Sequence, residues 1–280
     1  MTTVFVTGSR GFIGRRLVNA LNEIGFTVDS IDDEYFSEPN WQEVLKSRLE
    51  KANPAGVFHV GACSDTLEQN VEYMMTRNFE ATKVISDWCS GSNKPLIYSS
   101  SAATYGVNGL FPSNLYGWSK YVAEQYVIKN QGIGLRYFNV YGPGEEDKGN
   151  MSSFIYQAFI KSLKQSKVFL FPKVPRRDFI YVEDVVSANI FAFTNFTNLR
   201  KDYFEVSTGV ASTFEEMLRY FEIEFEYSDE KSIPVGYQFY TCGDSKKWMN
   251  GWSPSYTLAQ GLKSYREYLV NNHKVETANQ

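Results

Sequence analysis

Thr3-Val4-Phe5-Val6-Thr7 runs directly into Gly8-Ser9-Arg10-Gly11-Phe12-Ile13-Gly14, and this junction decides the fold. The first five residues are β-branched or aromatic, the composition of a buried strand. Three glycines spaced by three follow, and then the helical pattern Leu17, Val18, Leu21 runs to about Gly25. Strand, glycine-rich turn and helix is the context that a dinucleotide-binding fingerprint requires. The glycines allow a tight turn, a close approach of backbone to a pyrophosphate, and close helix–strand packing. The N–H groups of the helix N-terminus then face the phosphates. The alternative is an ordinary glycine-rich strand–helix turn. On the dinucleotide reading, Gly8, Arg10, Gly11, Phe12, Ile13 and Gly14 form the cofactor turn.

Phe26–Ile31 is expected as a second strand, ending in Asp32-Asp33-Glu34. An acid at this position, Asp32 or Asp33, accepts hydrogen bonds from the adenosine ribose of NAD and repels the 2′-phosphate of NADP. Arg10, inside the glycine turn, could attract that phosphate, so NAD and NADP both stay open as the tightly bound cofactor. Glu34 reads as a solvated turn charge. A short helix, Glu38–Lys51, leads to a third strand, Gly56–Val60. Its last residue, Val60, and the following Gly61-Ala62-Cys63-Ser64 are placed along the cofactor, since small residues let backbone pass close to a ligand; simple close packing is the alternative. A long helix from Leu67 to Cys89 and strands Leu96–Ser99 and Ile133–Phe138 complete a strand–helix rhythm that predicts a parallel, doubly wound α/β sheet.

Beyond about Asn150 the elements shorten. Helices are expected near Ser152–Leu163, Val182–Phe193, Phe214–Phe221, Ser245–Asn250 and Thr257–Leu269, and strands near Val168–Phe171, Phe204–Ser207 and Tyr237–Cys242. The expected organisation is a dinucleotide domain over 1–150 and a smaller α/β lobe over 151–270, with the chain free to cross back between them, then a frayed polar tail over 271–280. The 280 residues suffice for this, and 43% hydrophobic with 21% charged content fits a globular core. A net charge of -4 gives no global electrostatic case for nucleic-acid binding. No apolar run reaches membrane-spanning length, and the chain enters its first strand without a charged leader or apolar h-region. Cys63, Cys89 and Cys242 lack metal-type spacing and read as reduced thiols. A cytoplasmic protein without metal is therefore expected.

The chemistry-bearing stretch is Asn114-Leu115-Tyr116-Gly117-Trp118-Ser119-Lys120. On a helix, Tyr116 and Lys120 share one face. A nearby ammonium favours the phenolate and is expected to lower the tyrosine pKa, making a general acid/base for a substrate hydroxyl. Tyr227 and Lys231 have the same spacing without comparable surroundings. The first pair follows Ser99-Ser100-Ser101-Ala102-Ala103-Thr104-Tyr105-Gly106 at the end of the fourth strand, where active sites of open α/β sheets lie. Lys161, Lys164 and Lys167 read as a solvated helix face, whereas the Arg176-Arg177 fork before an apolar run could clamp a diphosphate.

The glycine turn, serine loop and Tyr-x-x-x-Lys helix, in this order, resemble the extended short-chain dehydrogenase/reductase superfamily. Gly61-Ala62-Cys63-Ser64, Tyr73-Met74-Met75, Ser100–Gly106, Arg136-Tyr137-Phe138-Asn139-Val140-Tyr141-Gly142-Pro143, Lys148-Gly149-Asn150-Met151, Arg177-Asp178-Phe179 and Gly236-Tyr237-Gln238 are similar to the ADP-glyceromanno-heptose 6-epimerases. The resemblance covers most of the chain, densely from about Phe58 to Val185. It implies a Rossmann domain with a C-terminal sugar-nucleotide lobe, a nucleotide-diphosphate sugar substrate and further copies of the chain as partners. Ser101, Tyr116 and Lys120 match the catalytic triad, and Lys148 matches a second acid/base residue of the heptose epimerases. Val140 matches a cofactor-loop position. Asn139, Asn150, Gln157, Phe171, Lys173, Arg177 and Tyr237 fall where that family holds its substrate. The implied reaction inverts one carbinol centre by transient oxidation and re-reduction.

The chain also departs from that pattern. It lacks a segment after the second strand that carries lysines near the adenosine end, and it is short between Tyr105 and Tyr116. It reads Thr76-Arg77-Asn78 where the family reads Asp-Asn-Asn, and Asn150 and Gln157 replace a serine and a histidine. Ala102-Ala103 stand where a 4,6-dehydratase carries an Asp-Glu pair. A hexose 4-epimerase or sugar-nucleotide reductase, and a non-catalytic cofactor-binding sensor, are the competing readings; such sensors commonly lose the tyrosine or lysine that this chain retains.

Overall fold

The computed structural model describes residues 2–107, 109–233 and 237–278. Its strands are β1 (Thr3–Thr7), β2 (Thr27–Ile31), β3 (Val57–His59), β4 (Leu96–Ser101), β5 (Ile133–Tyr137), β6 (Asn139–Tyr141), β7 (Val168–Leu170), β8 (Arg176–Tyr181), β9 (Asp202–Val206), β10 (Ala211–Thr213) and β11 (Phe225–Tyr227). The α-helices are α1 (Phe12–Glu23), α2 (Trp41–Ala52), α3 (Val71–Met75), α4 (Ala81–Gly91), α5 (Leu115–Lys129), α6 (Phe154–Leu163), α7 (Val182–Thr194), α8 (Phe196–Leu199), α9 (Phe214–Tyr220) and α10 (Leu258–Ala278).

Six strands form one parallel sheet in the order β2-β1-β3-β4-β5-β9. Val4, Phe5 and Val6 of β1 are wholly buried, as a strand covered on both faces requires. One face packs Leu17 and Leu21 of α1 and Val185, Val186 and Ala188 of α7 against Val6, Phe58 and Ile97. The other face packs Leu45 and Leu49 of α2, Ile85 of α4, and Ala123 and Val127 of α5 against Phe5 and Tyr98. From β1 the chain moves outward to β2 and then crosses back to β3. This reversal opens a crevice at the carboxyl ends of β1 and β3, the usual ligand position in such sheets.

A separate core holds Ile155 and Phe159 of α6, Leu218 of α9 and Leu262 and Tyr265 of α10. It accompanies the sheets β10-β8-β6 and β11-β7. Several expected elements take other forms. Residues 182–206 return to the first sheet: α7 covers it, and β9, expected among the small-lobe strands, pairs with β5 along Ile133–Tyr137. The long helix begins at Val71, capped by the Asn70 side chain, and widens into a π-turn over Thr76–Glu80 before α4. The strand expected at Tyr237–Cys242 is reduced to a single bridge between Tyr240 and Arg176. The helix expected near Ser245–Asn250 is a 3-10 turn, Ser245–Lys247. The tail expected to fray is helical to Ala278 within α10; Asn279 and Gln280 lie outside the described residues. No helix among the described residues is long and apolar enough to cross a membrane.

Candidate active site

The crevice is a cleft of about 690 Å³. At one end the turn after β1 packs against the end of β3. Gly8 has φ +68°, and a Cβ there would stand 2.6 Å from the Gly61 Cα. A Cβ on Gly14 would stand 1.9 Å from the Gly8 carbonyl oxygen. Both positions therefore demand glycine. The first amides of a helix have no intrahelical partner. Among the described residues no side chain caps those of α1, and Gly11, Phe12 and Ile13 line the cleft. This end fits a dinucleotide pyrophosphate.

Of the residues assigned to a cofactor from the sequence, Gly8, Arg10, Gly11, Phe12, Ile13, Gly14, Asp32, Asp33, Val60, Gly61, Ala62, Ser64, Lys120 and Val140 line the cleft. Cys63 does not. Its backbone is bracketed by Asn78, whose Oδ1 accepts from Cys63 N at 2.7 Å and whose Nδ2 donates to Cys63 O at 3.0 Å. The same amide donates to Ser119 Oγ at 2.9 Å, so the π-turn ties the loop after β3 to α5. Sequence reading missed Asn78, because its partners come from two distant segments.

At the centre stand β4 and α5. The Asn114 side chain accepts from Gly117 N at 2.8 Å and starts α5. Glu124 of this helix is buried and forks onto Arg136 of β5, with Arg136 Nε and Nη2 donating at 2.9 and 2.6 Å. Removing one member of such a pair typically costs ~3–5 kcal/mol, because the other is left as a buried charge. The helix carrying Tyr116 and Lys120 is thus anchored to the sheet. Ser101, Tyr116 and Lys120 all line the cleft. Lys120 is 3% exposed, and its Nζ donates to the Ser99 carbonyl at 2.7 Å. Burial pushes its pKa down to about 7.

Tyr116 behaves otherwise than its spacing from Lys120 suggests. Burial raises its pKa, and a hydrogen bond with Ser101 pulls it back only in part. The expected lowering is not the net result in this state, because the desolvation of the phenolate outweighs the polar partners.

Lys148 also lines the cleft, with Nζ 5.3 Å from the centroid of the Phe12 ring. Burial lowers its pKa, while Glu145 raises it. Ser100 Oγ and Thr241 Oγ1, on the same lining, are buried without a hydrogen-bond partner among the described residues. Thr66, Phe138, Gln238 and Thr241 line the cleft too; Phe138 and Gln238 fall in segments of the resemblance, but none of the four is among the site residues expected from the sequence.

The residues assigned to a substrate divide. Asn139 and Arg177 line the cleft, whereas Asn150, Gln157, Phe171, Lys173 and Tyr237 lie outside its lining. The Gln157 amide donates to the Asn150 and Ser152 carbonyls at 3.1 and 2.9 Å. Lys173 pairs with Glu230 at 3.3 Å, and Phe171 lines a separate small recess with Phe214. Tyr237 packs edge-on against Phe171 and lies 5.3 Å from the Arg177 guanidinium. Arg177 donates to the Gln238 carbonyl, and at 2.9 Å to that of Arg176. Of the two arginines expected to clamp a diphosphate, Arg177 lines the cleft, and the exposed Arg176 is a strand residue bridged to Tyr240. No cluster of three metal-ligand side chains occurs among the described residues.

Comparisons with known proteins identify the family. The model of the NAD dependent epimerase/dehydratase family matches residues 4–206. An ADP-L-glycero-D-manno-heptose-6-epimerase of Brachyspira hyodysenteriae is 34% identical, the match covering 95% of this chain and 97% of that protein. The crystal structure of the Helicobacter pylori ADP-L-glycero-D-manno-heptose-6-epimerase superposes with a TM-score of 0.84 at 25% identity, covering 96% of each chain. A Thermotoga maritima UDP-glucose 4-epimerase, solved with UDP-glucose, has a TM-score of 0.82 at 24% identity over 97% of this chain and 99% of that one, a likeness of fold.

Proposed function

The chain belongs to the NAD dependent epimerase/dehydratase family, and we propose that it is a nucleotide-sugar epimerase acting on an ADP-heptose, inverting one carbinol centre with no net redox change. The observation that carries this reading is one cleft lined by the glycine turn, by Ser101, Tyr116 and Lys120, and by Lys148. The 34% identity to a heptose epimerase over nearly the whole chain supports the substrate class.

A nicotinamide dinucleotide bound here would supply the hydride acceptor, and then the hydride donor, for the carbinol carbon. In our reading the amides of the Gly8–Gly14 turn would hold its pyrophosphate, and Asp32 and Asp33 would accept from its adenosine ribose. Val60, Gly61, Ala62, Ser64 and Val140 line its path. Cys63 contributes through its backbone, held by Asn78. Tyr116 takes the proton from the substrate hydroxyl as general base. Ser101 holds that hydroxyl and the phenol in one hydrogen-bonded line. Lys120, buried and tethered to Ser99, brings a proton-exchanging ammonium into the same pocket. Lys148 gives a proton to the carbonyl oxygen when its other face is presented. Asn139 and Arg177 orient the sugar diphosphate, an arginine being suited to a bidentate hold on phosphate. Tyr237 and Phe171 extend this hold beyond the cleft, and we give Asn150, Gln157 and Lys173 no direct contact.

This reading is of a cytoplasmic enzyme working as a homo-oligomer. Exposed Leu110, Phe111 and Trp118, the last two stacked, support self-association, which light scattering of the purified protein checks.

The experiment is to offer ADP-D-glycero-manno-heptose to purified protein without added cofactor and to follow its C6 epimer. Inversion is expected. Bound nicotinamide without inversion would move the substrate to another sugar nucleotide, as in a hexose 4-epimerase. Absence of any affinity for nicotinamide dinucleotides would overturn the reading.

A further inference from the structure

Lys148 stands on the segment between β6 and α6, and one buried carboxylate fastens both ends of that segment. Glu145, near its start, is fully buried, whereas Lys148 is half-buried on the cleft lining. Glu145 Oε1 accepts from Gly142 N at 3.3 Å, just after β6, and from Ser153 Oγ at 2.7 Å, at the start of α6. Its Oε2 accepts from Ser153 N. Tyr265 OH of α10 donates to Oε1 at 2.8 Å and ties this clasp to the second core. Lys148 N donates to the Glu145 carbonyl at 3.0 Å within the 3-10 turn Glu146–Met151. Four donors converging on one carboxylate favour its ionised form in a buried place.

The other charged groups around the segment are engaged elsewhere. Asp147, largely exposed, pairs with Arg15 of α1 at 2.7 Å, and Arg16 of α1 pairs with Glu183 of α7. Glu146 faces Tyr268 of α10. Lys148 Nζ lies beside the Phe12 ring of α1, and among the described residues no carboxylate stands within ion-pair distance of it. Burial lowers the Lys148 pKa, and Glu145 is the charge that opposes this. Burial also raises the Glu145 pKa, and its four donors pull it back.

We infer that Glu145 is a positioning residue for proton transfer, its carboxylate clasping the ends of the segment that presents Lys148 to the cleft and setting a negative charge near that amine. The inference rests on the reading of Lys148 as the second proton-transfer group. Glu145 itself lies outside the cleft lining, so its effect passes through Lys148. A nearby carboxylate favours the ammonium, the form that gives a proton to a carbonyl oxygen. The clasp supplies placement, since such a group works only within hydrogen-bond reach of its target.

The test joins a titration to a rate. The Lys148 amine is titrated in the purified protein by brief labelling with acetic anhydride across the alkaline range, read by peptide mass spectrometry. The kcat and KM for inversion of ADP-D-glycero-manno-heptose are measured over the same range. Glu145→Gln is expected to lower the Lys148 midpoint by about one pH unit, the scale of one neighbouring charge, and to move the alkaline limb of kcat with it. At the optimum kcat should fall about tenfold, part of what one proton-transfer group supplies, with KM and cofactor affinity held within about twofold. On a Lys148→Ala background the same change should cost nothing further, because no amine remains to be positioned. Should circular dichroism find Glu145→Gln unfolded, Tyr265→Phe takes its place, removing one donor from the clasp. A several-fold fall in kcat at unchanged KM is then expected, absent on the Lys148→Ala background, and a wild-type kcat would overturn the inference. A Lys148 midpoint unmoved by Glu145→Gln, or full additivity of that change with Lys148→Ala, would overturn it and leave the epimerase reading standing. Inversion at the wild-type rate by Lys148→Ala would overturn the role given to Lys148 and this inference with it.

Discussion

Tyr116–Lys120 and Tyr227–Lys231 have one spacing and opposite surroundings. The first pair lies within a single helix, α5, whose Glu124 is locked to the sheet by Arg136. Both side chains line the cleft at the end of β4. In the second, Tyr227 ends the short strand β11 and Lys231 sits in a separate 3-10 turn, Glu230–Ser232. Tyr227 is 51% exposed, and its hydroxyl donates to Glu215 on α9. Four-residue spacing aligns two side chains only where the backbone between them is helical. What separates the first pair from the second is burial in the cleft at the carboxyl end of a parallel sheet.

The largest effect should come from the phenol. Tyr116→Phe is expected to lower turnover by ~10³-fold or more, within the range for a general acid/base, while calorimetry finds cofactor affinity little changed. Normal turnover in that variant would erase the contrast between the two pairs. Next comes Lys148→Ala, for which a loss of ~10²-fold in inversion is expected, again at the scale of one proton-transfer group. Inversion at the wild-type rate would return Lys148 to the status of an ordinary rim lysine.

A smaller effect concerns stability. The Lys120 pKa falls from 10.5 to about 7 on burial, so between these values the unfolded chain binds the proton that the folded chain has released. The contribution of Lys120 to stability therefore rises with pH through that window, and below it the buried charge is a cost. Urea midpoints of cofactor-free protein measured from pH 7 to 9 should rise relative to those of Lys120→Met. Parallel curves would show that Lys120 keeps its ordinary titration in the folded protein. Smallest of all is Tyr227→Phe, where activity should stay within about twofold, as for most surface changes. A larger loss would reveal a role for the exposed pair.

The part of this molecule legible in its sequence is the part encoded locally. The strand–glycine–helix junction, the serine loop and the Tyr116 helix each carry their signal within a few residues, and all three meet in the cleft. The return of β9 to the first sheet was not legible, because Asp202–Val206 carries no mark of pairing with distant β5. Nor was the Asp33–Arg77 ion pair, whose members are brought together only by the fold. Tyr240 shows the reverse failure. A Tyr-Gln-Phe-Tyr-Thr-Cys run has strand composition, yet it forms one bridge, since β8 pairs mainly with β6 and β10. The Tyr116 pKa was misjudged because spacing reports a neighbour's charge and says nothing of desolvation.

The most direct test of the epimerase account is to run the reaction in deuterium oxide without added cofactor and to examine the sugar by proton NMR. Hydride taken from carbon and returned to the same carbon never mixes with solvent. The account predicts an inverted centre that keeps its carbon-bound protium, with no accumulated reduced cofactor. Deuterium at the inverted carbon, or a net oxidised sugar in place of an epimer, would contradict it.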